Sequence, residues 1–307
     1  MTLRLVSSGD HKNLRGFIVV AVLWILAALT ALVLIYLTYV TDTAVVVAGS
    51  AERVQIEALA TGAVELAAYQ LTALKEDARP TSGAFNSRLG AGKLSVTYRS
   101  EAARVDLNAA PKELIAGLMA GLGADRSDAN DYTDRIIAWR TPVENGDNDP
   151  ENSFYRTSGV AYLPRHAPFP QADELWLVRG IPPRLVEQIL PFVTVFSNLA
   201  TVNILDAAPQ VMTALPGMTP EKLQSVLAQR DDPTLNRQSL LATLGSAATL
   251  AGSKAYRLSI GVEFNNGRRG AAEVVILLME SGDEPYRVMS WRNASDGGME
   301  PQRASLR

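Results

Sequence analysis

The chain has no cysteine and two histidines, His11 and His166. Without cysteine there can be no disulfide, no thiolate nucleophile and no thiolate metal centre, so an exported domain made from this chain must hold together by packing alone. His11 lies in a short basic N-terminal segment, which leaves His166 as the one histidine for a Ser-His-Asp triad or a histidine metal site. Gly-x-Ser-x-Gly and P-loop patterns are missing, and no carboxylate pair stands beside a nucleophile or an oxyanion turn. These absences argue against an enzyme. An excess of positive charge is missing too: 29 Lys and Arg face 32 Asp and Glu, giving a net charge of −3. The electrostatics offer no reason to expect nucleic acid as a partner.

The most informative absence is local. From Phe17 to Val40 (FIVVAVLWILAALTALVLIYLTYV) there is no charged residue. At ~1.5 Å per residue such a helix spans ~36 Å, against ~30 Å of bilayer hydrocarbon. Arg4, Lys12 and Arg15 precede it, offset by Asp10. The positive-inside bias puts the N-terminus in the cytoplasm and everything after Val40 across the membrane. The apolar run is too long for a cleaved secretory signal, and the small residue, Gly16, stands before it rather than after it. Two readings remain at this point: an uncleaved signal anchor, or a leader cut after Gly16 that leaves the membrane helix as the mature N-terminus.

Helical character continues beyond the membrane. Val54, Leu59, Ala63, Leu66 and Leu71 recur at helical spacing, which predicts one helix from Phe17 to about Lys75, ended by Arg79-Pro80-Thr81-Ser82-Gly83. Period-two alternation then predicts a hairpin from Lys93–Arg99 and Ala103–Leu107. Three more strands are expected at Ala255–Phe264, Ala271–Met279 and Tyr286–Trp291, separated by Asn265-Asn266-Gly267 and Ser281-Gly282-Asp283.

Between the two strand regions the chain resembles itself. Asn108-Ala109-Ala110-Pro111 opens a helix, Gly121-Leu122-Gly123 turns it, and a second helix ends in Trp139-Arg140. Asp206-Ala207-Ala208-Pro209, Pro216-Gly217-Met218 and Gln229-Arg230 repeat the pattern, with Asn or Asp expected as the cap. A third helix–Gly turn–helix unit surrounds Gly180. Such units occur as helix-hairpin-helix modules that bind phosphates and also as plain packing motifs, and the acidic or neutral turns here favour packing. A long loop, Thr141–Pro170, holds Asp147, Asp149 and Glu151 at every second position. Oxygen donors so spaced can wrap Ca²⁺, or form a solvated acidic turn.

Taken in order, these segments resemble the K-type minor pseudopilins of the type II secretion system. The resemblance rests on Arg15-Gly16-Phe17, Val105-Asp106-Leu107-Asn108-Ala109-Ala110-Pro111, Ile137-Ala138-Trp139-Arg140 and Asp173-Glu174-Leu175-Trp176-Leu177-Val178-Arg179-Gly180. Pro191-Phe192-Val193-Thr194-Val195 and Asp206-Ala207-Ala208-Pro209 continue it. It implies an α+β pilin-like fold, a long N-terminal helix on an antiparallel sheet with an inserted all-helical domain. The implied divisions are a leader at 1–16, a membrane helix at 17–40, a first pilin-like part at 41–107, the insertion at 108–190 and a second pilin-like part at 191–307. It further implies cleavage between Gly16 and Phe17 by a prepilin peptidase, commonly with methylation of Phe17, and an inner-membrane anchor with the head in the periplasm. Calcium at Asp147, Asp149 and Glu151 is expected, with other minor pseudopilins and the major pseudopilin as partners and no nucleic acid. Ala21, fifth after the cleavage point, stands where most pilins carry glutamate, and the resemblance connects that departure with a place at the filament tip. The competing classes are a membrane-anchored helix-hairpin-helix DNA-binding protein of competence type and an anchored hydrolase.

Overall fold

The computed structural model describes residues 12–144, 149–230 and 237–293. Helix α1 runs Lys12–Thr72, close to the extent expected. The chain divides into two units at Ala58 and Leu59. In the first, Ile18–Tyr39 is an apolar helical span with a mean hydropathy of 3.0 and no buried residue, the property of a segment made for lipid.

In the second unit, α1 presents Ala60, Ala63, Val64, Ala67, Ala68 and Leu71 as a buried stripe at i, i+3, i+4 spacing. A five-stranded antiparallel sheet, in the order β1-β2-β7-β8-β9, belongs to the same unit. The strands are β1 Ser82–Leu89, β2 Gly92–Ser100, β7 Ala255–Phe264, β8 Arg269–Leu278 and β9 Tyr286–Asn293. Register stacks Leu94 on Val262, Val96 on Ile260 and Leu258 on Val274, so one face is continuously apolar. Small residues let the layers approach. A Cβ on Gly62 would stand 2.6 Å from Leu89 Cδ2, and one on Gly92 the same distance from Leu59 Cδ1.

The three C-terminal strands lie where alternation predicts them. The N-terminal hairpin does not. Its first strand is Ser82–Leu89, joined to β2 through Gly90 at φ 55°. Its first two residues, Ser82 and Gly83, belong to the expected helix terminator, and SGAFNSRL has no β-branched residue to announce a strand. The expected second strand contributes only β3, Val105–Asp106, which pairs in parallel with β4, Val193–Thr194, rather than with β2. Alternation identified the extended conformation but not a partner nearly ninety residues away.

β2 and β7 are neighbours in the sheet, and residues 101–254 leave and re-enter between them. The exit and return are pinned together: Ser253 N donates to Ser100 Oγ at 2.8 Å, and the two hydroxyls lie 3.0 Å apart. The excursion is mainly helical, with α2 Lys112–Gly121, α3 Arg126–Arg140, α4 Pro150–Thr157, a 3₁₀ turn Ala172–Leu177, α5 Pro183–Ile189, α6 Pro209–Thr213, α7 Pro220–Arg230 and α8 Arg237–Ala242. Two further short strands, β5 Val202–Asn203 and β6 Ala248–Thr249, pair in parallel. One buried cluster runs from Val105 to Ala248. Residues 191–248 therefore share their core with the 108–190 segment.

Candidate functional site

The charged side chains buried deepest lie where the insertion leaves the sheet. Glu101, fully buried, follows β2 directly. Arg257 on β7 grips it with two prongs, Nε to Oε1 at 2.8 Å and Nη2 to Oε2 at 3.1 Å. Arg104 Nη1 adds a third bond at 2.8 Å, and the Thr194 hydroxyl donates to Oε2. On its other side Arg257 Nη1 meets Glu273 of β8 at 2.5 Å. Two carboxylates thus balance two guanidinium groups across β7, β8, the start of the insertion and β4. Burial alone would raise the Glu101 carboxyl; Arg257 and Arg104, with the hydrogen bonds from Arg257 and Thr194, outweigh it and hold it below the ordinary value of 4.5. Burial and the neighbouring Arg257 bring Arg104 down to about 10, which leaves it charged at neutral pH. Alternation along β7 puts Arg257 on the face opposite Tyr256 and Leu258 and so gives no sign of this network, whose partners are distant in sequence.

Within the insertion the internal resemblance is a duplication of hydrogen bonds. Leu107 N donates to Thr194 O, and Ile204 N to Thr249 O. Ala110 N returns to Asp106 O, and Ala207 N to Asn203 O. Asp106 Oδ1 accepts from Asn108 N at 2.8 Å, as Asn203 Oδ1 accepts from Leu205 N at 2.8 Å. Thr194 Oγ1 takes Phe196 N and Thr249 Oγ1 takes Ala251 N. The two units thus align with Asp106 on Asn203 and Ala110 on Ala207, one residue out of step with the match of the two prolines. Pro111 and Ala208 occupy the helix-cap positions, neither with a side-chain cap bond. Asn108 and Asp206 therefore do not cap these helices. Asn108 instead clasps Phe169, its Oδ1 accepting from Phe169 N and its Nδ2 donating to Phe169 O. Asp206 Oδ1 receives the Ser82 hydroxyl at 2.6 Å.

The terminal arginines follow the same alignment. Arg140 Nη2 donates to Ala110 O at 2.8 Å, and Nη1 bonds Leu107 O. Arg230 Nη1 donates to the equivalent carbonyl, Ala207 O, at 2.8 Å. In a phosphate-binding hairpin such cations would face outward; here each turns back to fasten its own module. The glycine turns are as expected, with Gly123, Gly180 and Gly217 at φ 101°, 89° and 72°, where a side chain would be strained. The helical start of the third unit is replaced by the 3₁₀ turn. The repeats meet at Gly117, where a Cβ would lie 2.4 Å from Ala214 O.

Of the three expected calcium ligands, Asp147 lies outside the described residues. Asp149 caps α4, Oδ1 accepting from Asn152 N at 2.9 Å. Glu151, two residues further on, pairs with Arg135 at 3.2 Å, and burial raises its carboxyl against the pull of that arginine. Both are near neighbours on one loop, but both have protein partners. No group of three or more candidate ligands gathers among the described residues. The loop also contains a helix, α4, that its composition did not announce. An aromatic cluster anchors it, Trp139 stacking on Phe169 at 6.0 Å and tilting against Tyr155 at 6.1 Å. Gly16 and Phe17 fall in the first turns of α1, and Ala21 follows one turn later.

Residues 94–198 match the family model of type II secretion system protein K. That segment holds Glu101, Arg104 and Thr194 of the junction, without Arg257 and Glu273, and the first repeat. Over that segment the chain is similar to type II secretion system protein K. The fold is also that of a chain in the crystal structure of the GspK-GspI-GspJ complex from the type 2 secretion system of enterotoxigenic Escherichia coli. The TM-score is 0.56 at 18% identity, over 80% of this chain and 98% of that one. No curated protein matches.

Proposed function

We propose that this pseudopilin stands at the tip of the pseudopilus, helps to start its assembly with other minor pseudopilins, and meets the major pseudopilin below, in a machine that exports folded proteins across the outer membrane. The observation that carries the reading is the insertion. Residues 101–254 project from between two adjacent strands of a smaller sheet domain, and a buried ion network holds them there. A filament end has room for such bulk, whereas a shaft of closely repeated subunits does not. Ala21 points the same way, since a tip subunit has no neighbour above whose N-terminal amine needs a carboxylate. The complex containing I and J proteins, named for the similar structure, supports minor pseudopilins as partners.

In this reading a prepilin peptidase cuts after Gly16, Phe17 becomes the methylated N-terminus, and the apolar span anchors the chain once in the inner membrane with its head in the periplasm. Calcium is proposed at the loop of Asp147, Asp149 and Glu151; there Asp149 and Glu151 would hold the ion only by giving up the α4 cap and the Arg135 pair. The competing DNA-binding reading is weakened by the inward use of Arg140 and Arg230 and by the net charge of −3.

Crosslinking tests the tip assignment. With no native cysteine, single cysteines at Arg184 and Lys222 report cleanly. They are expected to trap minor pseudopilins at one filament end. Capture of major pseudopilin at regular intervals along the shaft would overturn the assignment.

A further inference from the structure

Aligning the two repeats isolates what the first has and the second lacks. Between the arginine that ends the second helix and the short helix before the returning strand, the second repeat has residues 231–236; the first has 141–182. The longer segment puts Tyr155, Phe169, Leu175 and Val178 into the buried core. It carries an outward apolar surface. Leu163, Trp176 and Leu177 are 43%, 45% and 42% exposed, while Leu175 and Val178, on either side of the last two, are buried. The 3₁₀ turn thus holds Trp176 and Leu177 outward by anchoring their neighbours. The two strips lie side by side: the Tyr162 hydroxyl donates to Leu177 O at 3.2 Å, and Arg165 pairs with Glu174.

The rim is not neutral towards a partner. Glu174 is satisfied by Arg165 and Asp173 by Arg292. Arg179, exposed at the end of the same turn, makes no side-chain ion pair among the described residues. An exposed Trp with a spare arginine beside it is the pairing enriched at interface hot spots, and with the two flanking leucines it calls for an apolar side chain with a carboxylate beside it.

We propose that Leu163, Trp176, Leu177 and Arg179 form the surface by which this chain docks the head of another minor pseudopilin, one that presents an apolar side chain next to a carboxylate. This rests on the pseudopilin reading above. The test uses the full chain in detergent with the I-type and J-type minor pseudopilins of the same system, each measured for affinity. Trp176→Ala and Arg179→Glu should each weaken one of these complexes about tenfold or more, with added salt weakening the wild type towards the Arg179→Glu level. Both residues are exposed, so an unchanged melting temperature verifies folding. Val288→Ser, an exposed position on the sheet edge, should bind as wild type. Failure of the wild-type chain to bind either protein would overturn the pseudopilin assembly reading and the docking surface with it. Wild-type binding that neither substitution disturbs would overturn the docking surface alone.

Discussion

Arg257 holds Glu101 by both carboxylate oxygens, at 2.8 and 3.1 Å, from 156 positions further along the chain. That pair joins the central strand β7 to the first turn of the insertion, so the largest addition to the sheet is tied to it at its root. Removing one member leaves the other charge buried and uncompensated, which is costlier than never having had the pair.

Glu101→Leu should therefore destabilise the head by about 3–5 kcal/mol, read from denaturant unfolding. The pH dependence has a definite sign. The folded carboxyl titrates below its ordinary 4.5, so its contribution is complete above that pH and is lost as pH falls through the folded value. Glu101→Gln should flatten the acid limb of the stability curve. An acid limb identical to wild type would contradict this account.

Gly117→Val should cost roughly 1–3 kcal/mol or more, because its Cβ would meet a backbone carbonyl, Ala214 O, at 2.4 Å rather than a side chain that can move. Gly217, open on all sides but at φ 72°, tests the opposite cause. There Gly217→Ala should cost about 1 kcal/mol through the backbone alone. Thermal melts of the two variants distinguish packing from conformation.

Processing is checked at the N-terminus. Gly16→Leu should block cleavage and secretion while membrane insertion persists. Sequencing of the membrane-extracted wild-type protein should begin at Phe17; a start at Met1 would show that the span is an uncleaved anchor.

Calcium should raise the melting temperature of the full chain, and Mg²⁺ much less, since binding to the native state alone stabilises it. Asp149 and Glu151 already have protein partners, which gives the variants a particular expectation. Glu151→Gln should lower stability even in chelator by loosening Arg135, whereas Asp147→Asn should act only when calcium is present. Equal melting temperatures in calcium and chelator would leave a solvated acidic turn.

The sequence by itself determined whatever depends on near neighbours. The uncharged run from Phe17 to Val40, the helix that continues it, the three C-terminal strands and the glycine turns at 123, 180 and 217 follow from periodicity, composition and local sterics, and the structure places them as expected. The buried face of that helix does not: of Val54, Leu59, Ala63, Leu66 and Leu71 only Ala63 and Leu71 are buried, with Ala60, Val64, Ala67 and Ala68 taking the rest of the stripe. Tertiary structure alone decided the pairings. Val105 takes Val193 as its partner, Arg140 turns inward to Ala110, Asn108 leaves its helix to hold Phe169, and residues 191–248 join the core of the insertion. Each is a choice among chemically similar partners far away in the chain. A strand-forming dipeptide or an arginine has many acceptable mates, and only the packing of the whole head selects one.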